Sequence, residues 1–241
     1  MLDKNSAQPL YVQFENVIRS KLDNEEWLVG AMIPSENELA KIYGISRMTV
    51  RSVLNQAVSA GMFYRVPGKG TFVAEPKIES SPLAHMGIRE QLEKKGYEIH
   101  TKLLEVEQLP ASVRVAKLLG IEPKELVYKV RRLRYLKDIP LSIHTSYIPQ
   151  SISPGLESRD LEKVQLCDIL EQDYHCTIIR HVEMLESVTA SAAEAQLLEV
   201  EKASPLLMLE NTVYGEGDVP IEHSKVVFRG DKIKLRMEYT Q

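Results

Sequence analysis

Ser35-Glu36-Asn37-Glu38-Leu39-Ala40-Lys41-Ile42-Tyr43-Gly44-Ile45-Ser46-Arg47-Met48-Thr49-Val50-Arg51-Ser52-Val53-Leu54 reads as two short helices separated by a glycine turn. Ser35 can cap the first, with Glu38 reaching back in a capping box, and Leu39, Ala40 and Ile42 give that helix an apolar side. Gly44 stops it. Ser46 can cap the second helix, where Val50, Val53, Leu54 and Ala57 recur at helical spacing and leave Arg47, Thr49 and Arg51 off the core stripe. Such a pair is a helix-turn-helix candidate. In that motif the first turns of the second helix enter the major groove, where arginine and threonine can meet bases and phosphates.

Charge points the same way. The chain has a formal net charge of -4, yet no Asp or Glu occurs from Leu39 to Ala74, a window that carries Lys41, Arg47, Arg51, Arg65 and Lys69. An acidic chain that clears its carboxylates from one helix and the following hairpin makes a local positive surface suited to a phosphate backbone. The bland alternative is a solvated helix pair, but such surfaces normally mix both signs.

Working outward, Leu10, Phe14, Val17, Ile18 and Leu22 define an amphipathic helix that can close over the pair, with Trp27 beneath it. After the second helix and Gly61, Met62–Val66 and Thr71–Val73 read as short strands around Pro67-Gly68-Lys69-Gly70. This hairpin is a wing, whose glycines allow close backbone approach and whose Lys69 is a point charge for a phosphate or a minor groove.

Pro9-Leu10-Tyr11, Pro34-Ser35-Glu36, Leu39-Ala40, Ser46-Arg47-Met48-Thr49-Val50-Arg51 and Gly68-Lys69-Gly70-Thr71-Phe72-Val73 resemble the winged-helix signature of GntR-family bacterial transcription regulators over residues 8–74. The resemblance implies operator contacts from Ser46, Arg47, Thr49 and Arg51, and from Gly68 and Lys69 of the wing. Ser35, the cap of the first helix, and Asn37 belong to the same candidate DNA surface. Where the family often has Arg between the two glutamates, this chain has Asn37, and Asn suits adenine N6/N7 better than guanine O6/N7.

The 241 residues, 44% hydrophobic and 27% charged, suit two domains with cores of their own. No basic and apolar leader pattern opens the chain and no apolar run reaches a membrane span, so a cytoplasmic protein is expected. Cys167 and Cys176 lack metal-ligand spacing and read as reduced structural thiols, with no metal or cofactor expected. The polar, proline-bearing stretch 75–82 reads as a linker between a DNA-binding domain at 1–74 and a second domain at 83–241.

In the second domain, helical patterns at Ile88–Leu92, Ser112–Leu119, Leu166–Tyr174 and Ser191–Leu198 interrupt strand patterns. The strands are Ile99–Gln108, with Leu104 and Val106 on one face, then Leu126–Tyr135, Leu141–Ile148, Thr177–Ser187, Leu206–Tyr214, Ile221–Phe228 and Leu235–Tyr239. Runs of strands with short turns imply an antiparallel α+β domain. Period two puts Leu126, Tyr128, Val130, Arg132 and Arg134 on one face. Guanidinium groups are seldom buried unpaired, so the two arginines either reach solvent at the strand end or line a pocket for an anion.

Val130-Arg131-Arg132-Leu133-Arg134, Ile139-Pro140-Leu141, Ser146-Tyr147-Ile148-Pro149, Asp168-Ile169-Leu170, Val219-Pro220-Ile221-Glu222 and Arg229-Gly230-Asp231 resemble the UTRA effector domain of the HutC subfamily, over roughly residues 80–240. The resemblance implies a chorismate-lyase fold that serves sensing. It also implies an anion held by Arg132 and Arg134, as bidentate guanidinium chemistry allows, and a sugar contacted by Glu222. Other pocket positions depart from sugar-phosphate-binding relatives: Gly87 and Arg89 at the first helix entry, His144 where a glutamate is usual, and Gln165-Leu166-Cys167 where Ser-Leu-Tyr is usual. Arg89 reads equally as a third positive group or as a solvated helix residue, and His144 as a ligand or as a satisfied strand histidine beside Ser142 and Ser146.

The leading expectation is a homodimeric repressor that binds operator DNA and is released by a small anionic effector. One alternative is a DNA-binding protein whose second domain only dimerises. Another is an enzyme acting on a small carboxylate, for which the chain order offers no nucleophile-base pair, metal cluster or phosphate loop.

Overall fold

The computed structural model describes residues 2–80 and 88–236, and the chain divides into two compact units, 1–77 and 78–241. The first unit is built from α1 (Leu10–Asp23), α2 (Glu36–Tyr43), α3 (Arg47–Ser59) and an antiparallel hairpin of β1 (Phe63–Val66) and β2 (Gly70–Val73). Ser35 and Glu38 form a reciprocal capping box at the start of α2, and Gly44 ends that helix in the left-handed region at φ 64°. Ser46 caps α3 through the Thr49 N–H. Phe14, Ile18, Leu39, Val50, Val53, Leu54, Phe63 and Val73 form the core, and Trp27 packs on Phe63 with ring centroids 6.0 Å apart.

Ile42, read as part of the apolar side of α2, is 56% exposed. Tyr43, four residues after Leu39 and so nearly above it, takes the core position and packs on Phe14. The segment before α2 adds a third chain to the wing: Gly30 N–H donates to the Val73 carbonyl, Val73 N–H to that of Ala31, and Ile33 N–H to that of Thr71. The hairpin is therefore anchored along its base.

The second unit runs β3 (Ile78–Ser80), α4 (Ile88–Lys94), β4 (Ile99–Pro110), α5 (Val113–Leu119), β5 (Leu126–Leu136), β6 (Ile139–Pro149), α6 (Leu166–Gln172), β7 (Arg180–Thr189), α7 (Ala192–Leu198), β8 (Pro205–Tyr214), β9 (Pro220–Arg229) and β10 (Ile233–Leu235). Six strands form one antiparallel sheet in the order β4-β5-β6-β9-β8-β7. α6 packs on one face of it, over Tyr128, Val130 and Ile148, and α7 on the other, over Leu133, Ile143 and Val227.

Three sequence expectations change here. Residues 78–80, read as linker, form β3, which pairs in parallel with β10; Ile78 and Ile233 enter a core with Leu141, Leu209 and Phe228. Leu104 and Val106, read as sharing a face, are separated by a register shift between Leu103 and Glu105, so Leu104 joins the α7 side and Val106 the α6 side. Val113, an apolar residue within the helical pattern Ser112–Leu119, is 75% exposed, because the core positions of α5 are Val115, Ala116 and Leu119. Gly87 and the Met237–Tyr239 part of the last expected strand lie outside the described residues.

Candidate functional site

Two clusters carry the chemistry, one in each unit. In the first, the cap at Ser46 sets the start of α3, so Arg47 and Arg51 stand one turn apart on its exposed side while Val50, Val53 and Leu54 face the core. Arg47 Nε lies 3.3 Å from Glu36 Oε2, Arg51 Nη2 lies 3.0 Å from the same oxygen, and Arg65 Nη2 of β1 lies 3.5 Å from Oε1. Hydrogen bonding from Arg51 leads in holding the Glu36 carboxyl below the usual carboxylate range. The carboxylate on which these arginines converge lies three residues before the stretch Leu39–Ala74 that is free of Asp and Glu.

Ser46 Oγ accepts the Thr49 N–H at 3.0 Å and lies 2.8 Å from Thr49 Oγ1, so the two hydroxyls are engaged with each other. Ser35 is likewise occupied as the cap of α2. Asn37 is exposed, and with Ser35, Arg47, Arg65, Gly68 and Lys69 it lines a groove between the start of α2 and the wing. Gly68 has φ 73°, and nothing within 4 Å would meet a Cβ there, so backbone conformation rather than space calls for glycine.

In the second unit, cross-strand register builds a polar band on the α6 face of the sheet. Arg134 stands opposite Ser142, Arg132 opposite His144, Val130 opposite Ser146, Ser146 opposite Ser224, and Ser224 opposite Asn211. Arg132 is 4% and Arg134 6% exposed, so the solvent reading of the strand arginines gives way to burial. The Nε of each is buried and has no hydrogen-bond partner among the described residues. Burial lowers the Arg132 pKa, against the pull of Glu222; burial and the neighbouring Arg132 bring Arg134 down to about 9, still charged at neutral pH.

Of the surrounding groups, Glu222 acts on Arg132 by its charge, whereas His144 and Cys167 are neutral. His144 is buried, lies 2.9 Å from Ser142 Oγ through Nε2, and packs edge-on against Phe228. Burial, then Arg134 and Arg132, push its pKa well below 6.5, so the imidazole is uncharged at pH 7. Burial, then Asp168 and Glu222, push the Cys167 thiol up to about 12, which leaves it a protonated and poor nucleophile. Gln165 is the N-cap residue of α6 without a side-chain cap bond, and its Oε1 is buried with no partner among the described residues.

Arg89 is close enough to act electrostatically on both strand arginines, but its own guanidinium is engaged. Nε donates to Glu93 Oε1 at 2.7 Å, and Nη1 to the carbonyls of Glu162 and Lys163 at 3.1 and 3.0 Å. It pins the loop before α6, as neither a solvated residue nor an uncompensated third charge. Ser224 and Asn211 were not singled out from sequence. Their signal was period two along β9 and β8, but only the register joins them to the arginines.

A winged helix-turn-helix joined in one chain to an antiparallel α+β domain defines a DNA-binding transcription regulator. The sequence profile described as bacterial regulatory proteins, gntR family, matches residues 10–73, and the UTRA domain profile matches 94–234. The chain belongs to the GntR family, in its HutC type, and by that membership is a regulator rather than an enzyme. It is 31% identical over 231 residues, 96% of this chain and 95% of the other, to the HTH-type transcriptional repressor NagR of Bacillus subtilis (strain 168). To the histidine utilization repressor of Pseudomonas aeruginosa it is 27% identical, covering 96% of this chain and 92% of that one. The crystal structure of PhnF from Mycobacterium smegmatis matches with TM-score 0.66 and 26% identity, covering 93% of this chain and 100% of that one.

Proposed function

We propose that this protein is a repressor that leaves its operator when a small anion, a phosphorylated sugar or a related compound, binds between Arg132 and Arg134. The observation that carries the reading is the pair of buried guanidinium groups on neighbouring positions of one strand face, each with an Nε that has no partner among the described residues. Buried charge is costly unless compensated, and a phosphate or carboxylate compensates it with charge-assisted, bidentate hydrogen bonds. Glu222, Gln165, Cys167 and His144 supply the polar remainder of the site, with Arg89 acting through the loop it holds. The neutral imidazole at 144 and the thiol at 167 present different hydrogen bonding from a carboxylate and a phenol, which disfavours an amino-sugar phosphate.

In the first unit, Arg47, Arg51 and Asn37 are the readers of base edges, while Lys69, Gly68 and the helix ends capped by Ser35 and Ser46 meet phosphates; Thr49 stands beside them. A homodimer follows from the half-site that one winged helix can read. At the position Asn37 meets, adenine is expected to be preferred. Equal affinity of wild type and Asn37→Arg for every base there would remove that assignment.

Fluorescence anisotropy on the DNA upstream of the gene, at fixed salt because phosphate contacts make affinity steeply salt-dependent, tests the whole reading. A panel of sugar phosphates, phosphorylated polyols and small carboxylates is expected to contain one that releases the wild type. Arg132→Ala is expected to bind the same DNA and stay bound. Release of Arg132→Ala as of wild type would sink the pocket assignment, and indifference of the wild type to every anion would favour a second domain that only dimerises.

A further inference from the structure

Glu36 poses a physical problem. A carboxylate on a surface that approaches a polyanion repels it, so plain electrostatics predicts that DNA binding would improve without it. Yet Glu36, at 19% side-chain exposure, lies deeper than its partners Arg47, Arg51 and Arg65, at 56%, 46% and 41%. It forms a floor beneath three guanidinium groups drawn from α3 and β1. Arg47 and Arg51 are like charges four apart on one helix, an arrangement that splays long side chains unless a counter-charge gathers them. Glu36 touches Arg51 with both oxygens, Oε1 at 3.2 Å and Oε2 at 3.1 Å from Nε, while Arg47 engages it through Nε and Arg65 through Nη2. Each guanidinium carries five N–H groups, so these contacts leave donors for a base edge or a phosphate. The carboxylate itself sits at the first position of α2, where the helix favours negative charge.

We propose that Glu36 is a positioning residue for DNA recognition: it holds Arg47, Arg51 and Arg65 in one fixed fan, raising affinity for the cognate duplex while lowering affinity for DNA in general. Pre-orientation removes the cost of ordering three flexible side chains on binding, a gain realised only where the bases match the fan. The negative charge meanwhile weakens contact with any backbone, so one residue acts on both sides of the specificity ratio. The inference rests on the DNA-binding reading of α3 and the wing.

The test uses the duplex that the full-length wild type selects from a randomised pool, compared with a scrambled duplex of the same length and composition at one salt concentration. Glu36→Gln keeps the size of the side chain and removes its charge. It is expected to bind the selected duplex about tenfold more weakly and the scrambled duplex as tightly as wild type or a few-fold more tightly, a fall of at least about tenfold in specificity. A general loss of structure would weaken both duplexes together. If Glu36→Gln does not fold, Glu36→Asp carries the same test, since it keeps the charge at the helix start and retracts it by one methylene; it too is expected to lose specificity. Tighter or unchanged binding of the selected duplex by the folded variant would overturn the inference alone. A wild type that selects no duplex would remove the DNA-binding reading, and this inference with it.

Discussion

Arg134 is held where an arginine is least comfortable, 6% exposed, beside another guanidinium and with Nε unpartnered among the described residues. Replacing an uncompensated buried charge by an apolar side chain of similar length is often stabilising. Arg134→Met is therefore expected to melt a few degrees higher than wild type without ligand, since about 1 kcal/mol moves Tm by about 2–4 °C in domains of this size. It is also expected to lose the rise in Tm that an effector anion gives the wild type; thermal melts with and without the anion read both. His144 gives a prediction in pH. Its pKa is lowered well below 6.5 in the folded state, so on acidification the unfolded chain takes up this proton first. The unfolded state then binds more protons, and stability falls as pH drops below about 6.5, by at most about 1.4 kcal/mol per pH unit for one group. Glu, Asp and the similarly lowered His223 add slopes of their own, so the signature is a difference: His144→Gln is expected to lose less stability in urea melts between about pH 6.5 and 5 than wild type.

Among the elements, α7 ends on an unusual residue. Its C-cap is Glu199 in the left-handed region at φ 53°, where glycine is the common choice, and the Glu199 side chain is exposed. Glu199→Gly is expected to raise stability by about 0.5–1 kcal/mol in denaturant melts by relieving the Cβ strain. The elements also show what a sequence reveals. α2 and α3 were legible because Ser35, Glu38, Gly44 and Ser46 mark their ends and the apolar residues mark their period. The six sheet strands were legible because period-two runs end at turns such as Lys137-Asp138. β3 was not: three residues pair in parallel with a strand some 155 positions away, and no local period encodes that partner. For the same reason Arg132 and Arg134 could be placed on one face, while their burial, and the Ser146, Ser224 and Asn211 band beside them, needed the register of four strands. Arg89 reads equally as a third positive group or a solvated helix residue: Glu93, one of its partners, is local, but the Glu162 and Lys163 carbonyls that fix its place lie more than seventy residues on.

At the scale of the molecule, each compact unit has a hydrophobic core of its own and holds one of the two candidate sites. If anion and operator oppose each other as proposed, linkage makes the effect reciprocal: the factor by which the anion weakens the operator equals the factor by which the operator weakens the anion. Titrating anion into protein saturated with the selected duplex, and into free protein, is expected to give that same factor. Equal anion affinities in the two titrations would contradict the repressor-release scheme.

The parallel pair of β3 and β10 joins the first and last described strands of the second unit, and Ile78 and Ile233 share a core with Phe228, on which the ring of His144 rests. The unit is thus fastened like a strap, with its buckle three residues long and its two ends drawn from opposite ends of the domain's chain. A fragment cut at residue 83, the domain boundary suggested by polarity and proline, would leave the buckle undone and Ile233 without its mate. A fragment that begins at residue 78 keeps both sides of the β3–β10 pair.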